Sequence, residues 1–537
     1  MHKLIEINFD SYDFVPVYQT LYAHCKDVYQ AEYLPGDLIE FQLDKDFYSE
    51  DSVQGAVLQT LQRILNEIDI SNFFCTVLTG NPDIAVEIEA LTNTDSMPLN
   101  YKITNSLYQR AHTSYPVWDV AHSYNSIDPS SINQNNSQLL TESKTFCMYP
   151  WITVHALPNG RAVPCCYANE PDSLGNTRNN TLSELWNSDR MQTLRHNLLN
   201  NQQDSFCTKC YEQESSGIFS GRLSINKQFA HQAHLANTTT PKFDMRYWDI
   251  RFSNLCNLRC RSCFHMLSSS WYSDTVKIQG NDYAKNNKAL VVADGERPKL
   301  VDQLLEHIDV VEQIYFAGGE PMMMDQHYRI LEALEAHKKF DVRLIYNTNF
   351  TQTKLKDRWV FDYWKKFDSV SVGASLDASG ARAELLRRDC NWEEIVTNRR
   401  EMQRICPDVD FYINATISLL NALHLPDFHK QLTEEKFISA QDFNVNIVSH
   451  PDYLRIDAGN TEFKTLVEKS FNEHIAWLAP QDTLGRATQG FTSAIEYMNG
   501  TDKSNLLKDF WHNNSVLDGI RNEKLLEVVP ELEILKG

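Results

Sequence analysis

"MRYWDIRFSNLCNLRCRSCFH", residues 245–265, runs from a short β-rich segment into three cysteines, Cys256, Cys260 and Cys263, spaced C-x3-C-x2-C with no fourth cysteine close by. The run "RYWDIRF" predicts a strand and the cysteines then fall on the loop that follows it. Iron–sulfur clusters are held by cysteine thiolates, and a cube of four irons with only three protein thiolates leaves one iron open to another ligand. Zinc is the competing reading, because His265 stands two residues past Cys263 and could complete a site of three thiolates and one imidazole. Four zinc ligands within ten residues would be crowded, since structural sites draw two pairs from separate turns.

Outward from this loop the pattern strand, loop, helix repeats. The runs "VVEQIYFAGG", "VRLIYNTN", "SVSVGASLD", "VDFYINATIS" and "FNVNIV" are short and β-rich, and "HYRILEALEAHKK" and "WEEIVTNRREMQRI" between them have helical periodicity. Six parallel strands are predicted over residues 243–450. Parallel pairing needs crossover connections, so this region is an α/β unit, an open sheet or an incomplete barrel, with its chemistry on the loops after the strands' C-terminal ends. Residues 451–537 are predicted to be a helical extension without chemistry. Residues 271–298 have the look of an insertion that could cover the site.

Upstream of the repeat lie other units. Residues 1–122 predict a small N-terminal α+β domain, with strands at "DLIEFQL" and "FFCTVLTG" and a helix over "DSVQGAVLQTLQRILNEI". Residues 123–142, rich in Ser and Asn, predict a linker. Residues 143–240 carry a second cysteine set: Cys147, twelve residues, Gly160, four residues, Cys165, then Cys207 and Cys210 in "CTKC". Four thiolates can close a cluster completely, whereas three leave it open, so this second site is expected to carry electrons or anchor structure. A four-cysteine zinc ribbon would use the same C-x2-C pair. Cys166 adjoins Cys165 and could replace it as ligand; Cys25, Cys75, Cys390 and Cys406 are scattered and receive no role.

The chain has 537 residues, too long for one ordinary core, and 50 basic against 71 acidic side chains give a formal charge of -21. Such a field repels nucleic acid and anionic membranes. No stretch approaches the roughly 20 apolar residues that span a bilayer, and the start, "MHKLIEINFDSYDF", has no basic segment followed by a long apolar one. A cytoplasmic protein is expected, where clustered cysteines are better read as metal ligands or redox groups than as disulfides.

The C-x3-C-x2-C loop after the first strand resembles that of the radical S-adenosylmethionine (SAM) superfamily, and the resemblance spans residues 243–450. It implies an incomplete (β/α)6 barrel in which Cys256, Cys260 and Cys263 bind a 4Fe-4S cluster whose fourth iron SAM chelates through its amino and carboxylate groups. It implies reductive cleavage of SAM to methionine and a 5'-deoxyadenosyl radical that abstracts hydrogen from a peptide, protein or small-molecule substrate, with flavodoxin or ferredoxin as electron donor. The family has an aromatic residue just before the third cysteine; this chain has Ser262 there and Phe264 after, a departure that bears on adenine packing and not on the cluster. Gly318, Gly319, Glu320 and Pro321 match the family's GGEP motif, so Glu320 and the adjacent backbone are expected to hold the SAM ammonium. Thr348, Asn349, Ser375 and Asp377 resemble segments that face the methionyl and ribose groups, although Ser or Asp after a strand is also an ordinary helix cap. Arg387 resembles an arginine that could pair with the SAM carboxylate, with Arg388 as its rival, and Thr416 is a candidate for adenine contact. The C-x12-G-x4-C hairpin resembles the SPASM/twitch auxiliary-cluster domains; Cys147, Cys165, Cys207 and Cys210 suffice for one auxiliary 4Fe-4S cluster, which favours the twitch type, and here the module precedes the barrel. Two alternatives stand beside this reading: a radical SAM enzyme acting on RNA, and a zinc-stabilised binding protein that is not an enzyme.

Overall fold

The computed structural model describes residues 139–140, 143–169, 172–215, 220–295, 299–482 and 485–536, together with the backbone of four strands nearer the start of the chain. The chain divides into two compact units, residues 1–125 with 483–485, and residues 126–482 with 486–537. In the first, β1 (His2–Ile7), β2 (Leu38–Leu43), β3 (Phe74–Thr79) and β4 (Lys102–Asn105) form one sheet in chain order. Every adjacent pair is parallel. The helical part of the α+β domain expected for residues 1–122 lies outside the described residues. Two of these strands fall on the expected runs, but pairing direction is not written in a run's composition. The helix expected over residues 51–68 lies outside the described residues, as does the linker except for residues 139 and 140.

In the second unit the cysteine-rich segment folds as short helices around a three-stranded antiparallel sheet of β5 (His155–Ala156), β6 (Arg161–Val163) and β7 (Gly175–Asn176). The helix Leu182–Trp186 starts with a capping box, Thr181 and Glu184 each satisfying the other's backbone N–H. Next come β8 (Tyr247–Trp248), β9 (Arg259–Cys260), β10 (Gln313–Phe316), β11 (Arg343–Thr348), the small hairpin β12 (Lys354–Leu355) and β13 (Arg358–Trp359), then β14 (Val370–Ala374), β15 (Arg387–Arg388), β16 (Asp410–Ile417) and β17 (Phe443–Ile447). Six of these make one parallel sheet in the order β8-β10-β11-β14-β16-β17, each next to its predecessor in the chain. That is the sequential order of a parallel α/β sheet.

Helices fill the connections. Asp325–Ala336 buries Tyr328, Ile330, Leu331 and Leu334 on one face, the spacing of an amphipathic helix over a sheet. Its His327 meets the Tyr346 hydroxyl of β11 at 2.9 Å within the core. The run expected as the first strand is paired along only two residues of β8, because the rest turns outward to the cysteine-rich segment: Arg246 N donates to Ile152 O (3.0 Å) and Arg251 N to Ala156 O (2.8 Å). The segment thus covers the β8 edge, whose backbone groups would otherwise be open. No helix among the described residues is long and apolar enough to cross a membrane.

Candidate functional site

The three-cysteine loop is held by its backbone. Asn254, fully buried, donates from Nδ2 to His265 O (2.8 Å) and accepts at Oδ1 from Val291 N (2.8 Å), joining the two ends of the loop. Ser270 Oγ donates to Cys256 O (2.7 Å), Ser268 Oγ to Leu258 O (2.6 Å) and Trp271 Nε1 to Cys260 O (2.9 Å). Antiparallel pairing of β9 with β15 sets Cys260 opposite Arg387. The Cys256 sulfur accepts from Leu258 N (3.5 Å) and Asn349 Nδ2 (3.7 Å), and the Cys260 sulfur from Arg387 Nη1 (3.8 Å). Donors of this kind around thiolates tune a metal cluster's charge and potential.

The thiols also feel one another. Burial, with Cys260 and Glu320 near it, pushes Cys256 up to about 12. Burial raises Cys263 too, with Cys260 and Cys256 adding to the effect. Burial raises Cys260 despite the opposing Arg387 guanidinium. Shifts in this direction favour the thiol form of these half-buried cysteines, and ligation is what makes them thiolates. Among the described residues no three His, Cys, Asp or Glu side chains gather around a single-ion site; in a cubane each thiolate meets its own iron, so the sulfurs need not share one point.

His265 is not a spare ligand. It is 4% exposed, its Nε2 lies 2.9 Å from Ala289 O, and its Nδ1 lies 2.6 Å from the Tyr283 hydroxyl. A carbonyl can only accept, so Nε2 carries the proton and Nδ1 takes the tyrosine's. Both ring nitrogens are occupied by residues 283 and 289, within the 271–298 segment.

The GGEP turn locks against this loop. Glu320 N donates to Leu255 O (2.7 Å), and Gly319, at φ +54°, packs so closely that a Cβ would lie 2.4 Å from that same oxygen. Glu320 is fully buried and accepts from Thr348 Oγ1 (2.7 Å), Asn349 N (2.7 Å) and Met322 N (3.3 Å). Burial still pushes its carboxyl up to about 7 against those three bonds. Pro321 opens the single turn Pro321–Met323, and Asn349 also donates to Asn257 Oδ1 (3.0 Å), so β10, β11 and the cysteine loop meet here.

A second chain of contacts runs through Asp377. Its carboxylate accepts from Thr416 N (2.8 Å) and pairs with Arg387 Nη2 (2.8 Å), while Ser375, half-buried, donates its N–H to Thr348 O (2.7 Å). Neither caps a helix, since Gly380–Leu386 begins after Ser379. Burial opposes the Arg387 charge, but Asp377 and the Cys260 thiol outweigh it and hold its pKa up. Its Nε is a buried donor without a partner among the described residues. Arg388 instead turns to Glu523 (2.9 Å).

The other cysteines surround one pocket, lined by Cys147, Cys165, Cys207 and Cys210 with Tyr149, Phe206 and Arg222 among its walls. Burial raises Cys147, with Cys207 and Cys210 adding to it. Burial also raises Cys165, which feels Cys166, Cys147, Cys207 and Cys210. Cys166 belongs elsewhere: it is exposed and is not among the residues that line this pocket. Arg222, the cation of the pocket, is tied to Glu214 Oε1 (2.9 Å) and Phe146 O (2.8 Å). An apolar pocket with four thiols fits a fully ligated cluster.

Residues 147–211 match the family model of the SPASM iron–sulfur cluster-binding domain. No curated protein matches the chain. Among solved structures, native anSMEcpe with bound AdoMet and Cp18Cys peptide is 16% identical, with 43% of this chain and 59% of that one covered and a TM-score of 0.30. Streptococcus suis SuiB bound to S-adenosylmethionine is 15% identical, with 63% and 71% covered and a TM-score of 0.30. TYW1 with a lysine-pyruvate adduct bound is 14% identical, with 43% and 71% covered and a TM-score of 0.22.

Proposed function

We propose that this chain is a radical SAM enzyme, with an open 4Fe-4S cluster on Cys256, Cys260 and Cys263 and one closed auxiliary cluster on Cys147, Cys165, Cys207 and Cys210. The observation that carries the proposal is the engagement of both His265 ring nitrogens, which leaves three thiols and no fourth protein ligand in the loop. When bound, the open cluster and SAM supply reductive sulfonium cleavage and a 5'-deoxyadenosyl radical able to take hydrogen from a peptide, protein or small-molecule substrate.

The chain's own residues orient and charge-balance the site. Arg387 lies beside the Cys260 sulfur with its Nε unspent, a donor suited to the SAM carboxylate. Asp377 fixes the arginine from behind and orders Thr416 at the end of β16. Gly318, Gly319 and Pro321 shape the turn whose backbone faces the ammonium, and Glu320, with a carboxyl held near neutral pH, ionises readily beside a cation. Ser375 and Asn349 complete the rim with a hydroxyl and an amide. Cys147, Cys165, Cys207 and Cys210 would hold the auxiliary cluster, which would supply electron transfer or a seat for substrate, with flavodoxin or ferredoxin as the expected donor. Anaerobically reconstituted protein given a strong reductant should release 5'-deoxyadenosine, and Cys260→Ala should abolish it. Release that survives the substitution contradicts the proposal, and stoichiometric zinc without sulfide replaces it with the zinc reading.

A further inference from the structure

The C-terminal helix, for which sequence offers no chemistry, grips the cysteine loop by buried charge. Arg261 stands between Cys260 and Cys263 and is 1% exposed, an expensive place for a guanidinium unless carboxylates offset its charge; its Nε has no partner among the described residues, and its two Nη atoms do the pairing. All its side-chain partners come from some 250 residues later in the chain: Nη1 donates to Asn514 (2.8 Å), and Nη2 to Asp518 and to Glu523 (2.7 Å). Asp518 accepts in turn from Leu525 N (2.8 Å), and the second Glu523 oxygen takes Arg388 Nη1 (2.9 Å), next in sequence to Arg387.

A second limb reaches the other side of Cys260. Arg259 pairs with Asp274 (3.1 Å) and Asp389 (2.6 Å), and the fully buried Asp274 pairs through its other oxygen with Arg521 (2.9 Å) at the end of the helix Leu507–Arg521. The Arg521 guanidinium lies 4.7 Å over the ring of Trp271, whose Nε1 holds Cys260 O. Both arginines that flank Cys260 therefore lead to one helix and the turn after it. Arg259, Arg261, Arg388 and Arg521 are balanced by Asp274, Asp389, Asp518 and Glu523.

We infer that Arg261, Asp518, Glu523, Asp274 and Arg521 are positioning residues, through which the C-terminal helix sets the conformation of the three-cysteine loop and the potential at its cluster. The part of this inference that concerns potential rests on the radical SAM reading, whereas loop positioning does not. The experiment uses the full-length chain. In metal-free protein, hydrogen exchange over residues 254–265 should rise about tenfold in Glu523→Gln and more in Arg261→Met, with residues 147–210 unchanged; Arg261→Lys should recover part of the protection. In reconstituted protein, Glu523→Gln removes a negative charge near the open cluster, so that cluster's midpoint potential should rise while the auxiliary one stays put. Loop exchange that does not move, or that rises equally across both segments, overturns the inference. Should the wild type bind no SAM-responsive cluster, the functional proposal fails while the exchange result still decides the positioning claim.

Discussion

Substituting Gly319 with Ala tests how closely the GGEP turn approaches the cysteine loop. Two costs add at this position. A non-glycine residue at φ +54° costs about 1–2 kcal/mol. The new Cβ, 2.4 Å from Leu255 O and 2.9 Å from Leu255 C, meets backbone and not a flexible side chain, so the loop must shift; forced overpacking of this kind costs about 1–3 kcal/mol. The sum is about 2–5 kcal/mol. Gly380 isolates the first cost, for its φ is also +54° but a Cβ there meets nothing within 4 Å. Gly380→Ala should therefore lose only about 1–2 kcal/mol. Denaturant unfolding of both variants measures the difference, and iron and sulfide analysis of reconstituted protein measures whether the displaced Leu255–Cys256 backbone still supports the open cluster. Equal losses in the two variants, or normal cluster content in Gly319→Ala, refute the close-approach reasoning.

Further outcomes follow from the same geometry. Cys165→Ala should remove the auxiliary cluster and halve the iron bound, whereas Cys166→Ala should leave iron unchanged because Cys165 lines the four-cysteine pocket and the exposed Cys166 does not; equal effects would show the assignment to be wrong. Glu320, raised from 4.5 to about 7, is protonated in both folded and unfolded chains below the lower value, so it weakens the fold progressively as pH rises between the two, by about 3 kcal/mol once above the upper one. An infrared difference spectrum against Glu320→Gln should show a protonated carboxyl at about pH 5.5 that is gone by about pH 8.5. His265→Ala should leave the open cluster's iron in place while loosening the loop; complete loss of metal would revive a zinc site completed by that imidazole.

Local pattern carried the sheet. Each of the six runs picked out by β-rich composition contains a strand of the sheet, and "WEEIVTNRREMQRI" is the helix Trp392–Ile405, because short strands between amphipathic helices have little freedom to be anything else. What local pattern lacked was partnership across long separations. Nothing near Arg261 announces Asp518 or Glu523, and nothing near His265 announces that Tyr283 and Ala289 take both its nitrogens. The choice between Cys165 and Cys166 turns on which thiol lines the pocket with Cys147, Cys207 and Cys210, a matter of tertiary packing. Glu320 was legible as a motif residue, but its three protein donors, two of them on β11 and the residue after it, were not. Pairing direction in the first unit likewise depends on connections that composition does not encode.

The open coordination position is tested most directly by electron paramagnetic resonance of the reduced, anaerobically reconstituted protein with and without SAM. The account expects a cluster signal that changes when SAM is added, and expects that change to vanish in Cys260→Ala while the auxiliary signal persists. A reduced cluster signal indifferent to SAM, or stoichiometric zinc in place of iron and sulfide, contradicts it.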